Sequence, residues 1–451
     1  MLIISMNVRI TPRQFTGTIK APASKSHTIR QLLIASLADG VSEIKDPLDS
    51  LDTRSCAAVC KAFGAEIAEC RSAGGQRLHD SFVSWNVKGN NGFKHNLPAA
   101  GLQVDVGNSG TTLYFALAVA GLQPQPIEFT GDEQIKRRSA APLLEALAGL
   151  GVQPQSSNGC APITIKGPWA GGKAILPCPT SQYLSALLIA APLAQAGTVT
   201  EIEVPLLNEK PYIDMTLSYL TAHGIPFETA LLPCGGRDYS RFVIRGGSSW
   251  KPFCSPVPGD FSSAAFPAAA AAITGGSLTI LGLCPQDTQG DKYFFDMLSQ
   301  MGCEIRWQQE SVTVSRSGVL RGGTFDLNAA PDLLPAAAAI AAYAEGDTAL
   351  VNTAHARIKE TDRIAVMKTE LAKLGVDCTE LPDGLIIHGK GGLPTVEKKR
   401  VINSRGDHRI FMAFAAAALG GKTPMEITGA ESAAVSYPEF LQLVGAEQID
   451  G

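Results

Sequence analysis

Several common signatures of function are missing from this chain. Its ten cysteines lie at positions 56, 60, 70, 160, 178, 234, 254, 284, 303 and 378, with no C-x-x-C pair, no H-E-x-x-H motif and no recurrent spacing. Neither a zinc site nor a disulfide framework is expected from such a scatter, and the thiols read as buried and inert. An excess of one charge is missing too: 38 Lys and Arg against 42 Asp and Glu leave a net charge of −4. That balance gives no global reason to expect nucleic acid or an anionic membrane as partner, so any basic site must be local. The N-terminal MLIISMNVRI has no basic stretch, long apolar segment or small-residue cleavage site, which predicts a cytoplasmic protein. No apolar run reaches the ~18 to 20 residues of a membrane span. The Ala-rich run from Ala264 to Ile273 is broken by Pro267 and followed by Gly275 and Gly276.

What is present is length, small residues and repetition. The 451 residues suffice for two or three domains with cores of their own. At 45% apolar and 18% charged, they describe an Ala-rich soluble protein without long disordered tails. A polar tip, an Ala-rich apolar helix, a Gly and a strand recur six times, from Ser24, Asn108, Thr180, Asp260, Asp332 and Asp407, at separations of 84, 72, 80, 72 and 75 residues. Out of phase with these runs a second helix recurs six times, amphipathic and closed by a Gly that serves as a left-handed cap, as in TRSCAAVCKAFGAEI and IAVMKTELAKLGVD. Each repeat therefore reads as strand, buried helix, strand, half-wet helix and strands, an α/β pattern. The stretch KPFCSPVPG, Lys251 to Gly259, places three prolines where neither a helix nor a central strand can run. A second Pro-bearing crossing falls at Lys20 to Ala23. Together they predict two lobes of three repeats each, residues 1–22 with 256–451, and residues 23–255.

If the repeats within a lobe are related by approximate threefold rotation, three buried helices present their N-termini on one face. Each end carries about half a positive charge and unpaired N–H groups, so such a face attracts anions without global basicity. Ser26, Ser109, Asp260, Asp332 and Asp407 fit helix N-caps, the commonest use of Ser and Asp at such positions. The tips also carry Lys25, Arg30, Gln182, His408 and Arg409, and long cations are not what a helix N-terminus favours. Cations there need anions. More charge gathers in HARIKETDR, with His355, Arg357, Lys359, Glu360, Asp362 and Arg363, and in DEQIKRR, with Lys136, Arg137 and Arg138. A solvated surface would explain either run alone, but not cations at successive joints of one repeat.

Taken in order, PASKSHTIR, VGNSGTT, TSQYLSALLIAAPLA, KPYID, GDFSSAAF, QGD, PDLLPAAA, RIKETDR and GDHRIFMA resemble the 5-enolpyruvylshikimate-3-phosphate synthase family, over about residues 10 to 440. Singly, G-N-S-G-T or S-K-S is weak, and Gly421–Lys422–Thr423 lacks the upstream Gly of a Walker A loop; the ordered set is specific. The resemblance implies a two-lobed inside-out α/β barrel of six βαβαββ-like repeats, three per lobe. It implies a transferase that joins the 5-hydroxyl of shikimate 3-phosphate to C2 of phosphoenolpyruvate and expels phosphate from a tetrahedral intermediate. Those two small molecules are the implied partners, with no cofactor and no metal. By the same resemblance Lys25 contacts both substrates and assists proton transfer, while Ser26 and Arg30 hold the shikimate carboxylate. Thr180 and Ser181 bind the 3-phosphate, Gln182 and Tyr212 lie against the shikimate ring, and Lys359 and His355 reach the shikimate phosphate. Asn108, Gly110, Gln182, Arg138, Arg363 and Arg409 bind phosphoenolpyruvate, Arg being suited to bidentate clamping of carboxylate and phosphate. Asp332 accepts the proton of the attacking hydroxyl and Glu360 protonates the methylene carbon. His408 orients a phosphate.

The chain departs from that family's pattern at four positions. Glu209 stands where a phosphate-contacting Ser is common, and an acid there repels phosphate, unless a one-residue shift brings Asn208 into its place. Tyr114 replaces an Arg, His355 replaces an Asn, and Val435 in AAVSYPEF replaces a phosphoenolpyruvate-binding Lys. Loss of one charged hydrogen bond weakens a subsite by ~1 to 3 kcal/mol. Two other readings compete. The UDP-N-acetylglucosamine enolpyruvyl transferases share the fold but use a Cys on the loop equivalent to Gly131–Ala141, which has none here. A non-catalytic sensor of phosphorylated ligands is supported by Val435 and Glu209 alone. No heptad suggests assembly, so the chain is expected to be a monomer.

Overall fold

A computed structural model of the chain describes residues 6–71, 83–92, 101–234, 237–395 and 401–449. Its helices are α1 (Lys25–Leu37), α2 (Leu51–Ala62), α3 (Gly110–Ala120), α4 (Ala141–Gly149), α5 (Ser181–Ala190), α6 (Lys210–Ala222), α7 (Phe261–Thr274), α8 (Tyr293–Gln300), α9 (Leu334–Ala341), α10 (Arg363–Lys373), α11 (His408–Leu419) and α12 (Phe440–Val444). The odd-numbered helices are the Ala-rich segments and the even-numbered ones their amphipathic partners. In α9 and α11 every residue is buried, and in α7 every residue from Phe261 to Ile273. A helix that is apolar on all sides has no face to offer water, so it is stable only when other elements enclose it. Ala side chains let the enclosing backbones come close, and α7, α9 and α11 all pack on one another. Each even-numbered helix is followed by a glycine in the left-handed region, Gly64, Gly151, Gly224, Gly302, Gly375 and Gly445, with φ between 65° and 102°. A Cβ would be strained there, which is why the same residue recurs at six equivalent ends.

The strands form six four-stranded sheets of one topology. In one of them Gly172–Ile175 runs parallel to Val199–Val204, which pairs antiparallel with Arg237–Arg245, which pairs antiparallel with Phe227–Cys234. The parallel pair requires a crossover, and α5 supplies it; of the antiparallel pairs only Phe227–Cys234 with Arg237–Arg245 is a hairpin, since α6 lies between Val199–Val204 and that hairpin. Two sheets borrow their first strand from elsewhere in the chain. Gly17–Lys20 pairs parallel with Ser277–Leu281, and Cys254–Pro256 pairs parallel with Val41–Lys45. Asn7–Ile10 completes the last sheet between Met425–Thr428 and Glu447–Ile449.

By contact density the chain divides into Met1–Pro22 with Pro258–Gly451, and Ala23–Val257, with three sheets in each. Pro256 and Val257 fall in the Ala23–Val257 unit because the short strand ending at Pro256 is hydrogen-bonded to Val41–Lys45. Each unit has its own hydrophobic core, built from its Ala-rich helices and the inner faces of its sheets. Helices inside and four-stranded sheets around them make the inside-out arrangement in each unit. Uniformly buried thiols are not found. Cys56, Cys60, Cys178 and Cys303 are buried, but Cys70 and Cys254 are exposed, since alternate residues of a strand point to opposite faces. Among the described residues no helix is long and apolar enough to cross a membrane.

The close helix packing sets an expectation for stability. Ala415 lies in the middle of α11 and is fully buried. Ala415→Leu adds volume that the neighbouring helices cannot absorb without moving, and should cost ~1 to 3 kcal/mol, read as a lower urea midpoint. An unchanged midpoint would show that the helices are not closely packed at this position.

Candidate active site

In the first unit Asp332, Glu360 and Asp407 meet at a single buried guanidinium, while Arg357 pairs with Asp362 and Glu380. Arg363 opens α10, whose N-cap is Asp362, and its side chain is fully buried. Its Nη1 donates to Asp332 Oδ1 at 2.7 Å, its Nη2 to Glu360 Oε2 at 2.5 Å and its Nε to Asp407 Oδ2 at 2.9 Å. Asp407 also caps α11, accepting from the Arg409 N–H at 2.9 Å, and accepts from the Thr361 hydroxyl at 3.0 Å. Arg409 Nη2 lies 2.9 Å from Asp332 Oδ2, and its Nη1 is hydrogen-bonded to Ser262. Arg409 Nε is buried with no hydrogen-bond partner among the described residues. Lys359 Nζ stands 3.8 Å from Asp332 Oδ1.

Asp332 thus meets three cations. Burial pushes its carboxyl up, but Arg409, Lys359 and Arg363 outweigh burial and hold it well below the usual carboxylate range, against a smaller opposing push from Glu360. Burial likewise works against charge on Arg363, and Asp407, Glu360 and Asp332 more than restore it. Asp332 is not a helix cap, contrary to the simplest reading of its position: α9 follows a 3-10 turn, Pro331–Leu333, and has no side-chain cap. His355 is buried, its Nε2 3.2 Å from the Asn328 carbonyl oxygen. His408 Nδ1 lies 2.5 Å from Ser436 Oγ, next to Val435 at the end of the turn Ala430–Val435. Glu360, Asp407 and His408 bring potential ligand atoms within 4.8 Å of one another. Arg363 already donates to both of those carboxylates, so a metal ion there would face its guanidinium.

In the second unit the tip residues are distributed differently. Ser24, not Ser26, caps α1, accepting from the His27 N–H. Lys25 Nζ lies 3.0 Å from Asp52 Oδ2, in the first turn of α2. Arg30 is buried and its donors are engaged by protein: Nε to Thr216 Oγ1 at 2.9 Å, Nη2 to Ser185 Oγ and the Tyr212 carbonyl at 3.2 Å each, and Nη1 to the Ser26 carbonyl at 3.1 Å. Burial pushes the Arg30 guanidinium down to about 10, opposed by Tyr219, Tyr212 and Glu209. At the start of α3, a Cβ on Gly110 would sit 2.7 Å from Arg138 Nη1, so the absent side chain is what admits the guanidinium. Asn108 Nδ2 donates to Gln134 Oε1 at 3.2 Å, and its Oδ1 is buried with no hydrogen-bond partner among the described residues. Tyr114 is buried edge-on against Tyr183, with ring centroids 4.9 Å apart, so the residue that replaces an Arg serves the core. Thr180 caps α5, and Gln182, half-buried, is the second residue of that helix.

Two expectations need correction. The cations at the helix tips do not wait for external anions, because Asp52, Asp332, Glu360 and Asp407 pair with them within the chain. In the sequence Asp332 and Asp407 read as caps and Glu360 as a general acid, Asp52 carries no such signal, and nothing in their spacing announces the pairing. Nor does Asn208 take the place of Glu209 beside Thr180 and Ser181. Asn208 Nδ2 donates to the Pro179 carbonyl, while Glu209 accepts from both Thr180 and Ser181.

Six repeated α/β units of one sheet topology, with Lys25 opening α1, Arg409 in the first turn of α11 and the buried Arg363 opening α10, define a protein whose buried helix ends suit small polyanions. Residues 10–443 match the family model described as EPSP synthase (3-phosphoshikimate 1-carboxyvinyltransferase). The chain belongs to the EPSP synthase family. It is 40% identical over 441 residues to a 3-phosphoshikimate 1-carboxyvinyltransferase of Acetivibrio thermocellus, covering 97% of each chain. It is 40% identical over 428 residues to one of Methanothermobacter thermautotrophicus, covering 94% of each. The solved structure of an EPSP synthase from Acinetobacter baumannii superposes with a TM-score of 0.76 at 27% identity, covering 99% of this chain and 100% of that one.

The ion pairs of Asp332 make stability depend on pH in a definite direction. A carboxyl whose folded pKa lies below the unfolded value of about 3.9 contributes stability that is present above about pH 4 and lost as pH falls through the folded value. Asp332→Asn should therefore flatten the fall in urea midpoint below about pH 4 relative to the parent chain. Parallel curves would mean that these ion pairs are not coupled to folding.

Proposed function

We infer that this chain transfers the enolpyruvyl group of phosphoenolpyruvate to the 5-hydroxyl of shikimate 3-phosphate, releasing phosphate by addition and elimination through a tetrahedral intermediate. The reading rests on one observation above the others: Arg363 and Arg409 hold Asp332 beside Lys359 and Glu360, in a chain matched to the family over residues 10–443. Both substrates carry carboxylate and phosphate, so fixed cations are the main source of transition-state stabilisation. Arg138, Arg363 and Arg409, with Asn108 and Gly110, take phosphoenolpyruvate. Thr180, Ser181, Lys359 and His355 take the 3-phosphate, and Ser26, Arg30, Gln182 and Tyr212 the shikimate ring and carboxylate. Lys25 contacts both substrates.

The ion pairs give the acid and base their timing. With Arg363, Arg409 and Lys359 drawn to it, Asp332 is too weak a base to take a hydroxyl proton. An anionic substrate that claims N–H donors of Arg363 and Arg409 removes part of that pull and raises the Asp332 carboxyl toward a useful range. The same exchange frees Glu360 from Arg363, so its carboxyl can hold the proton delivered to the methylene carbon. The chain works as a cytoplasmic monomer, with the division at the two Pro-bearing crossings separating its lobes.

Purified protein should release phosphate only when phosphoenolpyruvate and shikimate 3-phosphate are both present; release with either alone, or with neither omitted yet no product, would overturn the reading. Asp332→Ala and Glu360→Ala should each lower kcat by at least ~100-fold, the scale of a lost general acid or base, while shikimate 3-phosphate binding stays measurable. Gly110→Ala should raise KM for phosphoenolpyruvate about tenfold, a shift of ~1.4 kcal/mol, because the added methyl displaces Arg138. An unaltered KM would place phosphoenolpyruvate elsewhere.

A further inference from the structure

Glu209 is the residue whose chemistry fits the proposed reaction least and whose geometry is the most specific. It is buried, at 3% exposure. One of its oxygens, Oε2, accepts three hydrogen bonds: from the Thr180 hydroxyl at 3.1 Å, the Ser181 N–H at 2.9 Å and the Ser181 hydroxyl at 2.8 Å. Two hydroxyls and a backbone N–H converging on one oxygen at the start of a ten-residue helix is a cradle for an anionic oxygen. Carboxylate and phosphate oxygens are equivalent acceptors for such donors, and the cradle already holds one.

The backbone at this position is committed to the arrangement. Glu209 precedes α6 with φ 56° and ψ 37°, a left-handed conformation costly to a residue with a Cβ. Its side chain makes no capping hydrogen bond to its own helix. It is directed instead to the N-terminus of α5. Arg30 lies close enough for Glu209 to favour its charge, so the carboxylate has a cation nearby as well as three donors. A phosphate dianion placed on Thr180 and Ser181 with Glu209 in position would bring like charges together in a buried setting, where their repulsion is poorly screened.

We propose that Glu209 is a resident anion of the phosphate subsite and sets its specificity: a phosphorylated substrate must displace this carboxylate from Thr180 and Ser181 before its own phosphate can bind. The proposal rests on the assignment of Thr180 and Ser181 to the 3-phosphate. Displacement needs only rotation about the side-chain bonds of Glu209. The resident carboxylate satisfies the donors at the start of α5 and narrows the difference in affinity between phosphorylated and unphosphorylated ligands. Replacing it with a neutral side chain removes the competitor and widens that difference.

Calorimetric titration of the full chain, Glu209→Gln and Glu209→Ser with shikimate 3-phosphate and with shikimate tests this, with thermal unfolding as a check that each variant folds. Gln keeps the shape and loses the charge; Ser removes the reach as well. Both variants should bind shikimate 3-phosphate at least about tenfold more tightly than the parent chain, ~1.4 kcal/mol, while shikimate affinity changes little. Unchanged or weaker shikimate 3-phosphate binding in both folded variants, with the parent still releasing phosphate from the two substrates, would overturn the role of Glu209 and leave the transferase reading standing. No binding of shikimate 3-phosphate by any of the three proteins, together with no phosphate release, would overturn the transferase reading and this proposal with it.

Discussion

The structure depends on helices that have no wet side. A run such as Ala264 to Ile273 cannot lie on a surface without exposing apolar area on one flank, so each unit is built around its Ala-rich helices and uses sheets to enclose them. Enclosure has a consequence at the helix ends. Sheets and amphipathic helices cover the barrels of α7, α9 and α11, leaving the N-terminal tips as the places where polar side chains can reach the chain's charged groups. The rest of each helix is given over to packing.

At the tips charge is balanced locally. A fully buried guanidinium such as that of Arg363 is costly unless its charge is paired and hydrogen-bonded, and three carboxylates engage all three of its nitrogens. Lys25 with Asp52, and Thr180 and Ser181 with Glu209, repeat the principle in the other unit. Carboxylates of the chain thereby hold the cations and donors at these helix ends, which is compatible with a net charge of −4.

Much of the fold was legible because its signals are local and periodic. Apolar-all-round runs, Gly after each amphipathic helix and Pro-rich crossings depend on backbone and side-chain chemistry within a few residues, and six copies made the pattern hard to mistake. The cap of α1 is Ser24 and not Ser26, which lies in the first turn, because two Ser sit two residues apart at that helix start and only geometry selects the one with extended backbone. Asp332 was misread as a cap because a helix that starts from a 3-10 turn needs none. Cys70 and Cys254 were expected to be buried, and strand alternation turned them outward.

The amino-acid sequence by itself determined the six repeats, the α/β class, the division at the two Pro-bearing crossings and the residue types at each helix tip, since all of these follow from spacing along the chain. Only the tertiary structure decided which charges meet. Asp332, Glu360, Arg363 and Asp407 span 75 residues of sequence yet share one guanidinium, and Glu209 reaches Ser181 across 28. Such pairings arise when separate repeats pack together, because Coulomb and hydrogen-bond energies depend on distance in space and not on separation in sequence. That is why an acid that looked misplaced in the sequence proved to be the occupant of an anion cradle.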